Sequence, residues 1–246
     1  MRMRVIRARD YDEMSALAAR VVEDHVASTP NAVLGLATGS TVEGLYERLV
    51  RAHDQGSLDL SHVTAFNLDE YVGLPADHEQ SFARFMRERL VGPAGMDASR
   101  WRIPDGMATD PEAECRSFER ALAEEGYPTL QVLGIGGNGH VGFNEPSDAF
   151  EDVTHVVALT PETIRANSRF FASEDEVPRK AYTMGIGSIM RSRSLLLLAS
   201  GEARAQGIAA ALAGPIVPAV PASALRLHPS LTIIADEAAL SKLPRD

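Results

Sequence analysis

Short apolar segments alternate with amphipathic segments along almost the whole chain, and this alternation constrains the fold more than any other feature. Six apolar runs predict β-strands: residues 32–37, 63–68, 130–135, 153–159, 195–199 and 231–235. Between them, apolar residues recur three or four positions apart, which is the spacing of one helix face. The predicted helix faces are Met14, Leu17, Ala18 and Val21; Phe82, Phe85, Met86 and Leu90; Cys115, Phe118 and Leu122; and Ile208, Ala209 and Leu212.

Near-continuous apolar strands separated by helices are typical of a parallel sheet with helices on both faces. We therefore expect an α/β fold with an open, mostly parallel sheet, in a modified Rossmann-like arrangement. No linker rich in proline, glycine or serine divides the sequence, so we expect residues 1–246 to form a single domain. Hydrophobic residues make up 45% of the chain, which is enough for a substantial core.

The chain is acidic, with a formal net charge of −10. Such a chain is poorly suited to bind nucleic acid or an anionic membrane over a broad surface, so we expect neither partner. Its charge does not exclude a small phosphate compound, because a few backbone N–H groups and one arginine can bind it.

The cellular location is predicted from three features. Cys115 is the single cysteine, which excludes an intrachain disulfide and fits the reducing cytosol. The first residues carry charge without the apolar stretch of a signal peptide. The longest aliphatic run, residues 195–199, is far shorter than the roughly 20 residues that span a bilayer. We therefore expect a cytoplasmic protein.

Several helix boundaries can be read directly. Ser40 or Thr41 is predicted to cap a helix that runs to about Arg51. Asp110-Pro111 and Thr160-Pro161 each combine a capping residue with proline at the first helical position. Residues 143–152 are rich in turn-forming residues and predict a loop.

Polar or glycine-rich clusters follow three of the predicted strands. They are Thr38-Gly39-Ser40-Thr41, Asn67-Leu68-Asp69-Glu70-Tyr71 and Gly134-Ile135-Gly136-Gly137-Asn138-Gly139-His140. In an open parallel sheet, ligands bind beyond the carboxyl ends of the strands. Three such clusters after separate strands indicate a shared crevice and favour an enzyme.

The first and third clusters each allow two interpretations. Residues 38–41 fit a phosphate-binding turn at a helix N-terminus or a plain helix cap, and they lack the Gly-Lys-Ser/Thr of a nucleotide P-loop. Gly134, Gly136 and Gly139 match the dinucleotide-binding spacing, but a glycine and a proline follow where that motif needs a helix. We therefore predict a tight turn that presents the next side chains to a ligand.

Acid–base chemistry has two candidate groups. Asp69, beside Glu70 at a strand end, is the best candidate for a general base, although a solvated acidic pair is the simpler alternative. His140 and Glu145 form a second pair, because a carboxylate can fix the tautomer of an imidazole that transfers protons. A structural histidine is the alternative for His140.

Other charged residues give weaker signals. The remaining histidines are scattered, without the helical spacing of a metal site, so we expect no metal and no cofactor. Arg169 and Arg204 can supply positive charge to a ligand, but each, taken alone, is equally a surface arginine.

The ordered motifs together resemble the glucosamine-6-phosphate deaminase family, within a wider group of sugar-phosphate isomerases that includes 6-phosphogluconolactonase. The resemblance covers almost the whole chain. It rests on residues 35–41, 66–74 and 134–140, which contain the three clusters above, and on Phe143-Asn144-Glu145-Pro146, Ala166-Asn167-Ser168-Arg169-Phe170-Phe171 and Leu227-His228-Pro229. The sequence Phe-Asn-Glu-Pro favours the deaminase branch over the lactonases.

The resemblance implies conversion of glucosamine 6-phosphate and water to fructose 6-phosphate and ammonium, without metal or cofactor. It implies that Asp69 moves a proton from C2 to C1, and that His140 assists ring opening with the support of Glu145 and its neighbour Asn138. The residues implied in binding the phosphate and substrate are Thr38, Gly39, Ser40, Thr41, Gly136, Arg169 and Arg204.

The sequence departs from the family pattern at several positions. Asn138 stands where many relatives have aspartate, so we expect His140 to depend more on Glu145. Arg204 replaces a common lysine, which preserves the positive charge with a different geometry. Phe82 stands where tyrosine is common. The basic residues of allosterically activated relatives are absent from the stretch containing His155 and Val157, so we expect no activation by an N-acetylated sugar phosphate.

Three alternatives remain open at this stage. A galactosamine-6-phosphate deaminase is one, because the sequence does not separate the two epimers. Hydrolysis of 6-phosphogluconolactone is a more distant alternative. A non-catalytic sugar-phosphate sensor is the third, although Asp69, His140 and Glu145 all favour an enzyme. Relatives assemble differently, so a homo-oligomer also remains an alternative to a monomer.

Overall fold

The computed structural model describes residues 2–168, 171 and 173–243. In this part of the chain, the strands are β1 (Arg2–Ala8), β2 (Val33–Leu36), β3 (Thr64–Asn67), β4 (Asp69–Tyr71), β5 (Trp101–Arg102), β6 (Leu130–Gly134), β7 (His155–Ala158), β8 (Lys180–Thr183), β9 (Leu195–Ala199) and β10 (Ser230–Asp236). The α-helices are α1 (Tyr11–Ser28), α2 (Ser40–Asp54), α3 (Phe82–Met86), α4 (Pro111–Glu124), α5 (Pro161–Ser168), α6 (Ile186–Met190) and α7 (Ala205–Ala213). A π-helical turn, Arg87–Val91, extends α3, and short 3₁₀ turns include Glu202–Arg204 and Pro221–Leu227.

The central sheet has seven described strands in the order β1-β10-β9-β6-β2-β3-β5. Every neighbouring pair in this sheet is parallel. This arrangement confirms the predicted open α/β sheet. The inner strands β2, β3 and β9 are buried at every position, which explains why β2 and β9 are continuous apolar runs in the sequence.

A second, antiparallel sheet of three strands, in the order β4-β8-β7, lies beside the first. Residues of this sheet contribute to a smaller apolar cluster that includes Tyr71, Phe143 and Ala181. Residues 153–159 do contain the predicted strand, but the expectation that it joins the parallel sheet is wrong, because it forms β7 of this second sheet. The side chains of β7 are only partly buried, as expected for an antiparallel sheet with one face open to solvent.

The helix boundaries confirm two predictions and correct a third. Asp110 caps α4 by accepting from the Ala113 N–H at 3.0 Å, and Thr160 accepts from the Thr163 N–H at 3.2 Å before α5. The cap of α2 is Gly39 rather than Ser40 or Thr41. Gly39 has φ +104°, a conformation that favours glycine, because the chain turns sharply between β2 and α2.

The predicted helix faces pack into the core as expected. Cys115, Phe118 and Leu122 of α4 are all buried. In α1, Met14 and Ala18 are buried, whereas Leu17 lies at the edge of the buried face. None of the described helices has the length and apolar character needed to cross a membrane.

Candidate active site

The candidate residues follow four neighbouring strands of the central sheet. In the order β9-β6-β2-β3, these strands lead into residues 200–204, 135–140, 38–41 and 68–70. Because the four strands are parallel, their carboxyl ends lie at the same edge of the sheet. The three predicted clusters are therefore brought to one edge, and the turn after β9 joins them as a fourth.

Asp69 is the first residue of β4, two positions beyond the end of β3. Its side chain is buried, and its Oδ1 atom has no hydrogen-bond partner among the described residues. Burial and the nearby Glu70 carboxylate raise the pKa of Asp69 to about 8. A carboxyl group with this pKa can both accept and return a proton near neutral pH.

Glu70, in contrast, is held by the backbone around it. Its carboxylate accepts from the N–H groups of Tyr71, Phe82 and Ala83 at 2.8–3.0 Å. Phe82 and Ala83 begin α3, so Glu70 occupies the N-terminus of that helix. We conclude that Glu70 orders the chain around Asp69 and is not a solvated surface carboxylate.

His140 and Glu145 lie side by side in the loop after β6. Nδ1 of His140 is 3.6 Å from Oε2 of Glu145, and the His140 side chain is 34% exposed. Glu145 also accepts from Asn138 Nδ2 and from Thr163 Oγ1, both at 2.8 Å. Burial raises the pKa of Glu145, but the His140 ring and the Asn138 and Thr163 hydrogen bonds outweigh burial and lower it to about 2. Glu145 is therefore ionised at all ordinary pH values.

The loop after β6 is a tight turn, as predicted. Residues 135–144, all of them described, form turns and one bridge between Val141 and Asn144 instead of a helix. The Gly136 N–H donates to the His140 carbonyl at 2.9 Å, and a β-carbon on Gly136 would overlap the His140 ring. Asn138 accepts from the His140 N–H at 3.1 Å. Gly136 and Asn138 thus position the imidazole.

Thr183 connects the two acid–base groups, although no motif in the sequence points to it. In the second sheet it pairs with Asp69. Its hydroxyl accepts from the Phe143 N–H at 3.1 Å, within the loop that carries His140 and Glu145. The adjacent Met184 carbonyl accepts from Asn144 Nδ2 at 2.8 Å. The strand β8 therefore fixes both groups to one backbone segment.

A cavity of about 300 Å³ lies between α2 and the turn after β9. It is lined by Tyr11, Ser40, Thr41, Glu43, Ser200 and Arg204. Hydroxyl groups, a helix N-terminus and one guanidinium are well suited to hold a phosphate group. Ser40, Thr41 and Arg204 therefore line one cavity. Thr38 and Gly39 directly precede Ser40 in the connection between β2 and α2.

Asp236 at the end of β10 is a second residue that the sequence did not point to. Its buried carboxylate accepts from Ser200 Oγ and from the Gly201 N–H. It also accepts from the Ala239 N–H at 2.8 Å. Asp236 therefore orients the turn that carries Arg204.

Nearby, Gly207 of α7 lies so close to the Gly136 carbonyl that a β-carbon would overlap it, which places this turn against the His140 loop.

Two of the predictions concern residues or groups for which the structure gives no contacts. Arg169 lies outside the described residues. Among the residues that are described, no group of three or more His, Cys, Asp or Glu side chains is arranged to hold a metal ion.

The sequence pattern of the glucosamine-6-phosphate isomerases and 6-phosphogluconolactonases matches residues 9–233. The chain belongs to this family. Within it, the glucosamine-6-phosphate deaminase of Thermoanaerobacter pseudethanolicus is 48% identical over 242 residues, which cover 98% of this chain and 96% of the relative. The deaminase of Clostridioides difficile is 48% identical over 245 residues, which cover 99% and 98%.

Solved structures of the family show the same fold. A structure described as a monomeric glucosamine-6-phosphate deaminase has a TM-score of 0.94 at 45% identity, covering 97% of this chain and 99% of that one. The 6-phosphogluconolactonase of Trypanosoma brucei has a TM-score of 0.78 at 18% identity, covering 99% of each chain. At that identity, the second likeness bears on the fold alone. The resemblance predicted from the motifs is thus confirmed.

Phe82, one of the departures from the family pattern, has a clear place in the structure. Its ring stacks on Phe143 with a centroid distance of 5.9 Å and lies 4.9 Å from Tyr71. These rings pack between α3 and the His140 loop. Phenylalanine at this position therefore contributes apolar contacts to the second sheet where tyrosine would add a hydroxyl.

Proposed function

We propose that the protein is a glucosamine-6-phosphate deaminase, which converts glucosamine 6-phosphate and water to fructose 6-phosphate and ammonium. The observation that carries the proposal is the pairing of two different acid–base groups at one edge of the sheet. Asp69 is a buried carboxyl group with a raised pKa, and His140 lies beside the ionised Glu145. The cavity with Arg204 lies at the same edge.

The phosphate group anchors the substrate in this proposal. Ser40, Thr41 and Arg204 bind it through hydroxyl groups, backbone N–H groups and a bidentate guanidinium, with Arg169 as a further positive charge. Thr38, Gly39 and Gly136 complete the binding surface. Binding energy from this remote group holds the reacting carbons against the acid–base residues, which lowers the entropic cost of reaching the transition state.

Ring opening is the first chemical step, and we assign it to His140. The imidazole transfers the proton of the C1 hydroxyl to the ring oxygen as the C1–O5 bond breaks, which gives the open-chain amino aldehyde. Glu145 stabilises the imidazolium that forms during this transfer. Asn138 and Thr163 hold Glu145 in place by hydrogen bonds.

Proton transfer between carbons is the step assigned to Asp69. The ionised carboxylate removes the C2 proton, and the electron pair forms the C1–C2 double bond while the substrate's ammonium group gives a proton to the C1 oxygen. The product is an enol with a neutral amino group on C2. Return of the proton to C1 gives a C2 imine. Water then adds to C2, and ammonium leaves as the ketone forms. Overall one water is consumed and one ammonium is released, so the reaction needs no external oxidant or reductant.

Three further expectations belong to this proposal. We expect the reaction to proceed without metal or cofactor. We place the enzyme in the cytoplasm, where sugar phosphates and reduced thiols such as Cys115 occur. We also expect residues 1–246 to act as a single domain, with a homo-oligomer as an open alternative to the monomer.

The decisive experiment measures ammonium and fructose 6-phosphate from purified protein given glucosamine 6-phosphate, with a chelator present. We expect equal amounts of both products. Galactosamine 6-phosphate in a parallel assay tests the epimer, and we expect slower turnover. Faster turnover of the galacto compound would reassign the substrate. Binding of either compound without ammonium release would identify a sensor instead.

A further inference from the structure

Tyr11 is the first residue of α1, and its phenol oxygen reaches the first turn of α2. The O–H donates to the Ser40 carbonyl at 2.7 Å, and the same oxygen accepts from the Gly44 N–H at 2.8 Å. Ser40 and Gly44 are four residues apart, so they are the carbonyl and N–H that an α-helix normally joins directly. The phenol therefore enters the first turn of α2 as a third hydrogen-bonding partner.

Gly44 provides the space that the phenol ring needs. A β-carbon at this position would lie 3.0 Å from Cε1 of Tyr11 and 2.6 Å from Oγ of Ser15. Glycine weakens a helix interior, so its presence here calls for a reason, and the close approach of α1 supplies one. Arg48 adds a second link, since it pairs with Asp12 and donates to the Gly44 carbonyl.

The contact to Ser40 fixes the direction of a backbone N–H at the cavity. The Ser40 carbonyl and the Thr41 N–H belong to one planar trans peptide unit and point in opposite directions. By holding the carbonyl, Tyr11 keeps the Thr41 N–H directed toward the N-terminal end of α2. Ser40 and Thr41 line the cavity at that end, and the first N–H groups of a helix are free to bind an anion.

We propose that Tyr11 is a positioning residue for the phosphate group of the substrate, acting through the first turn of α2. This inference rests on the proposed function, because it requires that the cavity holds phosphate. A purely structural role, in which the phenol only joins α1 to α2, predicts lower stability with unchanged phosphate binding. The two roles therefore differ in their effect on affinity.

Tyr11→Phe removes the phenol hydroxyl and keeps the ring. The control is Tyr127→Phe. In the wild type, the Tyr127 hydroxyl donates to Glu119 at 2.9 Å near the amino end of β6, at the opposite edge of the sheet. For Tyr11→Phe we expect the KM for glucosamine 6-phosphate and the Kd for inorganic phosphate to rise about 3–10-fold, with kcat within about twofold, as the loss of one hydrogen bond predicts. The control variant keeps both constants.

A second variant tests the same contact from the other side. Gly44→Ala places a β-carbon against the ring, so we expect a similar loss of phosphate affinity. In the double variant, we expect the loss of phosphate affinity to be much smaller than the sum of the two single losses, because both substitutions disturb the same phenol.

The outcomes separate this inference from the proposed function. Unchanged KM and phosphate affinity in Tyr11→Phe would overturn the positioning role, whatever the change in melting temperature. A wild-type protein that binds inorganic phosphate but releases no ammonium would contradict the deaminase, while the phosphate titration would still decide the role of Tyr11. A wild-type protein that neither binds phosphate nor releases ammonium would overturn both.

Discussion

The two carboxyl groups of the candidate site, Asp69 and Glu145, have opposite surroundings. Asp69 is buried without a partner for Oδ1 among the described residues, and its pKa is raised to about 8. Glu145 accepts from Asn138 and Thr163 beside the His140 ring, and its pKa is lowered to about 2. One group is held in the protonated form near neutral pH and the other is held ionised.

In the proposed mechanism, this difference in pKa allows one site to combine two kinds of proton chemistry. Titratable groups whose surroundings separate their pKa values take different roles, one as a proton carrier and one as a fixed charge. Asp69 has the properties of the carrier, because small changes in its surroundings change its proton occupancy. Glu145 has the properties of the fixed charge, because several hydrogen bonds stabilise its ionised form.

The largest expected effect tests Asp69 itself. Asp69→Asn keeps the shape of the side chain and removes the acid–base group, so we expect kcat to fall by about 10²–10⁴-fold, the usual scale for general acid–base catalysis. Asp77→Asn, at an exposed carboxylate in the loop after β4, serves as the control and should keep full activity. Ammonium release at the wild-type rate in Asp69→Asn would remove Asp69 from the mechanism.

Glu145→Gln is expected to have a smaller effect. Hydrogen bonds to charged groups contribute roughly 1.5–3 kcal/mol, so loss of the ionised partner of His140 should lower kcat by about 10–10²-fold. The exposed Glu151 of the same loop offers a matched control, Glu151→Gln, with activity unchanged. A loss as large as that of Asp69→Asn would mean that Glu145 takes part in proton transfer directly.

The pH dependence of kcat/KM distinguishes the titration of Asp69 from that of Glu145 in the fully active wild-type protein. If ionised Asp69 is the base, kcat/KM rises about tenfold per pH unit below its pKa and levels off above about 8. Glu145 contributes no transition in this range, because its pKa is about 2. The profile of Glu145→Gln should therefore keep the same transition, and a shift of that transition by more than about one unit would show that the two groups are coupled.

Folding stability gives a further test of the Asp69 environment. Its pKa is raised from 3.8 to about 8, so the folded state retains a proton that the unfolded state loses, and this contribution to stability declines as pH rises from about 4 to about 8. Asp69→Asn cannot ionise, so its melting temperature should match the wild type near pH 4 and exceed it by several degrees at pH 8. Equal melting temperatures at both pH values would show that Asp69 is well solvated.

The smallest expected effect concerns regulation. A second cavity, of about 340 Å³, lies between residues 143–151 and β7. Among the described residues that line it are the carboxylates Glu145 and Glu151, and His155 is the basic one. This lining disfavours a phosphate anion, so added N-acetylglucosamine 6-phosphate should produce no activation at low substrate concentration. An increase in rate or a change in the shape of the saturation curve would contradict this.

The parts of the structure that the sequence predicted are those with a strong local signal. The inner strands β2 and β9 lie in continuous apolar runs, and β3 and β6 lie in mostly apolar ones, so their burial between helices is readily predicted. The cluster after β6 was assigned to a turn because glycine and proline exclude a helix there. Because Asp69 and His140 directly follow such segments, the same local signals indicate them as candidate site residues.

The parts that the sequence did not predict depend on contacts between distant residues. The edge strand β1 alternates arginine with apolar residues, and the short strands β4 and β8 are only three or four residues long, so none forms an apolar run. Thr183 and Asp236 act through hydrogen bonds to loops far away in sequence. A single threonine or aspartate at a strand end has no pattern that distinguishes it from an ordinary one.

The place of β1 in the sheet has a consequence for how the protein matures on the ribosome. In the central sheet, the described residues of β1 pair with β10, which comes last among the described strands in chain order. Among the described strands, β1 therefore has no partner in this sheet until β10 has been translated. Such long-range pairing slows folding, because the chain loses conformational entropy when the two strands meet, before their contacts stabilise the pair. We accordingly expect the pairing of β1 with β10 to form late in folding.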